Sequence, residues 1–206
     1  MPFLIGFRQT LPLEGRSKKG NSMPLPQNFS GFRPSRKLAE EYYAHWPATA
    51  EHANYQCLHA TFAQGGTLLD RIQALNNAYH CTRPFSYATL VQHLQNIHNL
   101  QDRLLQGENI VDTVSNIGGR NMFCFGTMYC HHVNPNAYYG CSSFVHKCLV
   151  ELNKRDHFFE DALMRDDLRS YVSFSAAMQA LVDYYQLEGI GSTKLDIMLR
   201  YGGKLL

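Results

Sequence analysis

Apolar positions recur at helical spacing along most of this chain, with Gly, Pro and capping residues punctuating the runs. Residues 1–34 are the exception. There, two short apolar anchors, Phe3-Leu4-Ile5 and Phe29 to Phe32, are separated by Pro and Gly, a pattern that reads as an irregular arm. Ser35 can cap a helix over 36–45, which Pro47 interrupts before a further helix through 63. After Gly65-Gly66, Thr67 can cap a helix over 68–79, in which Leu68, Ile72, Leu75 and Tyr79 share a face. Pro84 and Ser86 mark the next boundary. A helix over 87–105 then turns Leu90, Leu94, Ile97 and Leu104 inward, Gly107 ends it, and 110–117 forms a shorter one.

The densest apolar stretch is 118–150, GGRNMFCFGTMYCHHVNPNAYYGCSSFVHKCLV. Gly118-Gly119 can stop the preceding helix, so that Arg120-Asn121 opens a buried helix and Asn134-Pro135 closes it. The loop over 136–141 then forms a pocket wall and leads to Ser142 or Ser143, either of which can cap the next helix. Over 144–153, Val145, Cys148 and Leu152 share a face with Cys141. Residues 155–169 are charged and expected to be helical in their later part, followed by helices over 175–187 and 193–201. The chain shows neither a repeated unit nor a useful length of strand alternation. An all-α fold follows, a single helical domain over 35–206 behind the arm.

Charge sharpens the distinction between arm and body. The net charge is +2, but Arg8, Arg16, Lys18, Lys19, Arg33, Arg36 and Lys37 face only Glu14 within residues 1–37, leaving the remainder acidic. A basic arm on an acidic body suits a tether for nucleic acid or for an acidic protein partner. No apolar run approaches the roughly 20 residues that span a bilayer, and the N-terminus lacks the charged start and apolar core of a leader. A cytoplasmic protein with no membrane partner is expected. Its six cysteines are expected to be reduced and mostly buried.

Several residue groups could carry chemistry. Cys124, Cys130, His131, His132, Cys141, His146 and Cys148 are metal-ligand types, but no paired C-x-x-C knuckle occurs and the helical positions diverge. No metal or cofactor is expected. Cys130 beside His131 or His132 fails as a thiolate pair for the same reason. His45, His52 and His59 recur every seven residues, too far apart to share an ion. The segment Leu187-Glu188-Gly189-Ile190-Gly191-Ser192-Thr193-Lys194 points elsewhere. A Gly-x-Gly turn between two helices can present backbone amides to a phosphate.

Three blocks together resemble a known family. Arg120-Asn121, the run Cys124-Phe125-Gly126-Thr127-Met128-Tyr129-Cys130-His131-His132-Val133-Asn134-Pro135, Tyr138 and Ser142-Ser143-Phe144-Val145 are similar to the central signature of bacterial 8-oxoguanine DNA glycosylase-like proteins. Residues 69–79 resemble that family's upstream helix, and Lys194-Leu195-Asp196 to Lys204 its closing helix. About half of the chain is covered, without the arm. The resemblance implies a helix-hairpin-helix glycosylase fold that takes a nucleotide out of the duplex and reads it in a pocket. It also implies a place among proteins of bacterial anti-phage defence loci.

The sequence departs from that family at two positions. Where relatives carry the catalytic Asp it has Ser142, and where they carry Lys it has Met128. Lys194 lies one place beyond the Lys position of other glycosylases of this superfamily. One reading is therefore a base-recognition scaffold with lost or weakened excision. A second keeps an active glycosylase with relocated groups, the candidates being Asp161, Asp166, Asp167 and Lys194. A third is an assembly subunit whose arm binds a protein partner. Expected pocket residues are Arg120, Asn121, Tyr129, His131, His132, Asn134, Tyr138 and Ser142. Expected nucleic-acid contacts are Lys18, Lys19, Arg33, Arg36, Lys37, Gly189, Gly191 and Lys194.

Overall fold

A computed structural model describes residues 26–159, 163 and 167–206, apart from the side chains of Ala50 and Asp167. Lys18, Lys19, Asp161 and Asp166 lie outside the described residues, as does the side chain of Asp167. The fold is all-α. In chain order the helices are α1 (Arg36–His45), α2 (Ala50–Ala63), α3 (Leu68–Tyr79), α4 (Tyr87–Gln95), α5 (Leu100–Leu105), α6 (Val111–Ser115), α7 (Phe123–Val133), α8 (Ser143–Asp156), α9 (Tyr171–Tyr184) and α10 (Ser192–Lys204). Among the described residues no helix is long and apolar enough to cross a membrane.

Four helix starts are capped by hydroxyls: Ser35 and Thr67 as expected, Ser86 at the expected boundary, and Ser142 of the Ser142/Ser143 pair. The hydroxyls of Ser35, Thr67, Ser86 and Ser142 accept from the amides of Leu38, Asp70, Thr89 and Val145, and Asp70 completes a capping box. Pro47 sits in a 3-10 turn, Trp46–Ala48, that separates α1 from α2.

Three boundaries differ from the pattern. Arg120-Asn121 does not open a helix. Gly118 and Gly119 both take positive φ, 56° and 74°, which is the geometry of a two-residue hairpin turn, and Asn116–Ile117 (β1) pairs antiparallel with Arg120–Asn121 (β2). The expected helix over 87–105 is two helices, broken where Asn99 adopts a left-handed conformation that Asn tolerates better than most residues. Helix α8 runs on to Asp156 and stops at left-handed His157, and the later turn of that region is a 3-10 segment, Asp167–Arg169, before α9 begins at Tyr171.

Helix α7 lies at the centre, with every residue from Phe125 to His131 buried. Small residues permit the closest approaches to it and around it. A Cβ on Gly126 would lie 2.0 Å from Ser115 Oγ, which locks α6 against α7. Helix α10 lies along α8 through Gly202 and Gly203. The end of the arm joins this core. Phe32 is fully buried against Gly202, Arg155 Nη1 donates to the Phe32 carbonyl at 2.8 Å, and the Tyr201 hydroxyl donates to the Pro26 carbonyl.

The packing of α8 on α10 yields a direct test. A Cβ at Gly203 would sit 2.0 Å from the Phe144 carbonyl oxygen, a backbone atom that no rotamer change can move. Gly203→Ala is expected to destabilise the fold by about 2 kcal/mol or more, within the range for overpacking of a tight core. Urea unfolding checks it, and an unchanged midpoint would show that the two helices slide apart without cost.

Candidate nucleic-acid interface

The turn between α9 and α10 is built for close approach from outside. Gly189 and Gly191 take φ of 73° and 82°, and a Cβ at either would meet nothing within 4 Å. Ile190 is buried and anchors the turn from below, while Arg36 Nη2 ties it to α1 by donating to the Glu188 carbonyl at 2.5 Å. No side chain caps α10, so its first amides point out beside Lys194, whose ammonium lies 5.6 Å from the Tyr43 ring centroid.

Behind that helix end lies a cavity of about 230 Å³. Thr193 and Pro135 belong both to its lining and to the surface depression at the α10 N-terminus. Tyr55, His59 and Phe62 of α2 form one side, Arg71 of α3 and Gln101 of α5 another, and His131 and His132 of α7 the floor. Aromatic faces therefore surround a small polar set. Arg71 Nη1 donates to Gln101 Oε1 at 2.9 Å, and its guanidinium lies 5.3 Å from the Phe62 centroid. The Tyr79 hydroxyl and His132 Nε2 share a hydrogen bond of 3.1 Å. Burial holds the His132 pKa well below its ordinary value, with His131, His59 and Arg200 adding to the effect, so the ring is neutral at neutral pH.

On the far side of Tyr79 a wider cleft of about 910 Å³ opens. The sequence-predicted pocket residues are divided between these places. His131 and His132 line the small cavity, whereas Asn121 and Ser142 line the cleft. Arg120 is exposed on the hairpin. Tyr129 is fully buried in the core, as is Tyr138, whose hydroxyl donates to the Glu108 carbonyl at 2.6 Å. Asn134 Nδ2 closes the end of α5 by donating to the carbonyls of Leu104 and Leu105 at 3.2 and 3.0 Å. Of the expected phosphate contacts, Gly189, Gly191 and Lys194 lie together. Arg33 instead donates to the Ser30 and Phe32 carbonyls, Arg36 holds the turn between α9 and α10, and Lys37 lies 3.9 Å from Glu41. The three histidines at seven-residue spacing are dispersed, and no group of three metal-ligand side chains occurs among the described residues.

No family model matches the chain, and no solved structure matches it. It is similar to a Haemophilus influenzae (strain ATCC 51907 / DSM 11121 / KW20 / Rd) protein described as "Uncharacterized protein", with 32% identity over 142 residues. The match takes in 66% of each chain, just under two thirds of that relative's length. Any activity must therefore be argued from the site.

Asp196 and Arg200 were not singled out by the sequence pattern, yet they form the most heavily buried charged pair among the described residues. Asp196 is 4% and Arg200 8% exposed, and their charged groups approach to 4.0 Å, with Glu51 3.6 Å from Arg200 on its other side. Neither carboxylate oxygen of Asp196 has a hydrogen bond. The available signal was an Asp and an Arg four apart among Leu195, Met198 and Leu199, on a helix face otherwise apolar. Tyr55, Phe62, Arg71 and Gln101 were missed too, because they come from three helices that only the tertiary packing brings together.

Burial raises the Asp196 pKa above its ordinary value, opposed in part by Arg200 and His131. The folded chain therefore keeps this proton to higher pH than the unfolded chain does. Ionisation of Asp196 costs native stability as pH rises from the ordinary carboxylate range through that raised value. In Asp196→Asn this component is gone, so its unfolding temperature is expected to fall less than the wild type's over that interval. Thermal melts from about pH 4 to pH 7 check it, and parallel curves would show that Asp196 does not carry the dependence.

Proposed function

We propose that this chain is a nucleic-acid-binding protein with the architecture of a helix-hairpin-helix glycosylase, in which the α10 N-terminus holds a backbone phosphate and the adjoining cavity receives a base. The observation that carries the reading is the juxtaposition of the two. Thr193 and Pro135 belong both to the open helix end beside Gly191 and Lys194 and to the cavity walled by Tyr55, Phe62 and His132. A helix N-terminus binds phosphate through its free amides and dipole, and aromatic walls receive an unstacked base. Arg71 and Gln101 offer hydrogen bonds to the base edge. Its expected setting is the cytoplasm, which the free state of all six cysteines supports, and the family resemblance extends the role to bacterial defence against phage.

The same site argues for binding without efficient excision. Cleaving a glycosidic bond builds positive charge on the sugar, which a carboxylate must stabilise. No Asp, Glu or Lys lines the small cavity among the described residues. Asp196 faces the neighbouring His131 and Tyr55 from within the core, and its burial opposes the anionic form that would be required.

Salt-titrated binding to duplex and single-stranded oligonucleotides, with abasic-site formation assayed on the same set, tests this reading. Affinity is expected to fall steeply with salt, with a log–log slope that decreases by about one in Lys194→Gln. Tyr55→Ala is expected to reduce the preference for substrates carrying an unpaired base, and no abasic sites are expected. Absence of salt-sensitive binding would overturn the proposal. Excision abolished by replacing a single carboxylate would replace it with an active glycosylase using relocated groups.

A further inference from the structure

The wider cleft plays no part in the reading above, and its chemistry differs from that of the small cavity. Tyr79, at the end of α3, and Phe123, in the first turn of α7, contribute rings to its lining, and Met122 and Val150 add apolar surface. Arg83 and Lys147 come to it from separate parts of the chain, the loop after α3 and the second turn of α8. Neither makes a hydrogen bond or ion pair with any described residue. Arg169 also lines the cleft, but it is engaged elsewhere and is not one of its available cations. The acidic side chain among the lining residues, Glu151, is engaged by Lys154 at 2.6 Å. Cys81 and Cys141 line the cleft as protonated thiols. Donation of the Cys81 thiol hydrogen to Cys124 and then burial raise the first, and burial raises the second.

We propose that this cleft is a second binding site, for a free nucleoside phosphate whose phosphates meet Arg83 and Lys147 and whose base lies against Tyr79 and Phe123. Three features select this ligand class. The volume of about 910 Å³ is far more than an inorganic anion fills, and falls within the roughly 300–1,000 Å³ of small-molecule and cofactor sites. A wholly apolar ligand would make no use of the two exposed cations of the lining, whereas a phosphate answers both. Aromatic and apolar atoms of Tyr79, Met122, Phe123 and Val150 in the lining suit a base, and a sugar phosphate alone would not use them.

The test is a fluorescence titration of the full chain with N-methylanthraniloyl-ATP at physiological salt, followed by displacement with unlabelled ATP, inorganic pyrophosphate and a single-stranded oligonucleotide. Saturable binding is expected, reversed by ATP at far lower concentration than by pyrophosphate. Arg83→Gln and Lys147→Gln are each expected to weaken it roughly tenfold, the size of one lost charge-assisted contact. Both side chains are exposed, so these variants should retain the wild-type unfolding temperature. Lys194→Gln is expected to leave nucleotide binding unchanged, which separates failure of this site from failure of the α10 site. No saturable binding by the wild type, equal displacement by ATP and pyrophosphate, or unaltered affinity in both cleft variants would overturn the proposal. Displacement by the oligonucleotide, with its affinity dependent on Arg83 and Lys147, would also overturn it by assigning the cleft to the nucleic-acid path.

Discussion

A helix as deeply buried as α7 has to find partners inside the protein for its polar side chains, and two of them do so through the loop that follows it. Thr127 resolves the demand locally by donating to the Phe123 carbonyl at 2.9 Å, and its oxygen also accepts from the Cys141 amide at 3.2 Å. His131 Nδ1 donates to the Tyr138 carbonyl at 2.8 Å. These two side chains fasten the loop after α7 back onto the helix that precedes it. The loop therefore delivers Ser142 to the start of α8 at a fixed place, while Asn134 and Tyr138 secure the region around α5. Two polar side chains of α7 thus fix the loop that carries Cys141 and Ser142 to the wall of the wider cleft.

The Tyr79–His132 hydrogen bond stands between the two cavities. Tyr79 lines the wider cleft, His132 lines the smaller cavity, and the Arg200 guanidinium lies 4.8 Å from the Tyr79 ring centroid. Burial holds the Tyr79 hydroxyl protonated and the His132 imidazole neutral, so the partition carries no net charge. Behind it Arg200 is shared between Asp196 at 4.0 Å and Glu51 at 3.6 Å. That separation lets one side present aromatic surface with Arg71 and Gln101 while the other presents open cations, without either set of charges collapsing onto the other.

The order of helices and most of their starts were legible because they depend on local chemistry. Ser35, Thr67, Ser86 and Ser142 cap where the pattern placed them. The misread boundaries are those where one residue type permits two outcomes. Two glycines in succession can end a helix or turn a hairpin, and only the pairing of Asn116 with Asn121 decides between them. An Asn inside an amphipathic pattern can remain helical or switch to the left-handed conformation, as Asn99 does. The site was less legible than the fold. The Gly189–Gly191 turn is contiguous and could be read from the sequence, but the cavity behind it draws on α2, α3, α5 and α7. The burial of Asp196 likewise follows from packing of α10 and was not read from the sequence.

The two departures from the resembled family differ in structural consequence. Ser142 is a helix cap, 5% exposed, and its hydroxyl accepts from the Val145 amide at 3.3 Å. Asp caps helices as well as Ser does and its charge suits a helix N-terminus, so a carboxylate at this position is compatible with the present packing. Met128 is another matter. It is fully buried, and a Cβ on Gly140 would come within 2.7 Å of its sulfur. An ammonium there would be stripped of water among apolar neighbours, a cost of several kcal/mol unless it lost its proton or gained a partner. The packing thus admits a carboxylate at position 142 but not an ammonium at position 128. A Lys at position 128 would require repacking α7 against the 136–141 loop, where Gly140 lies on the Met128 side chain.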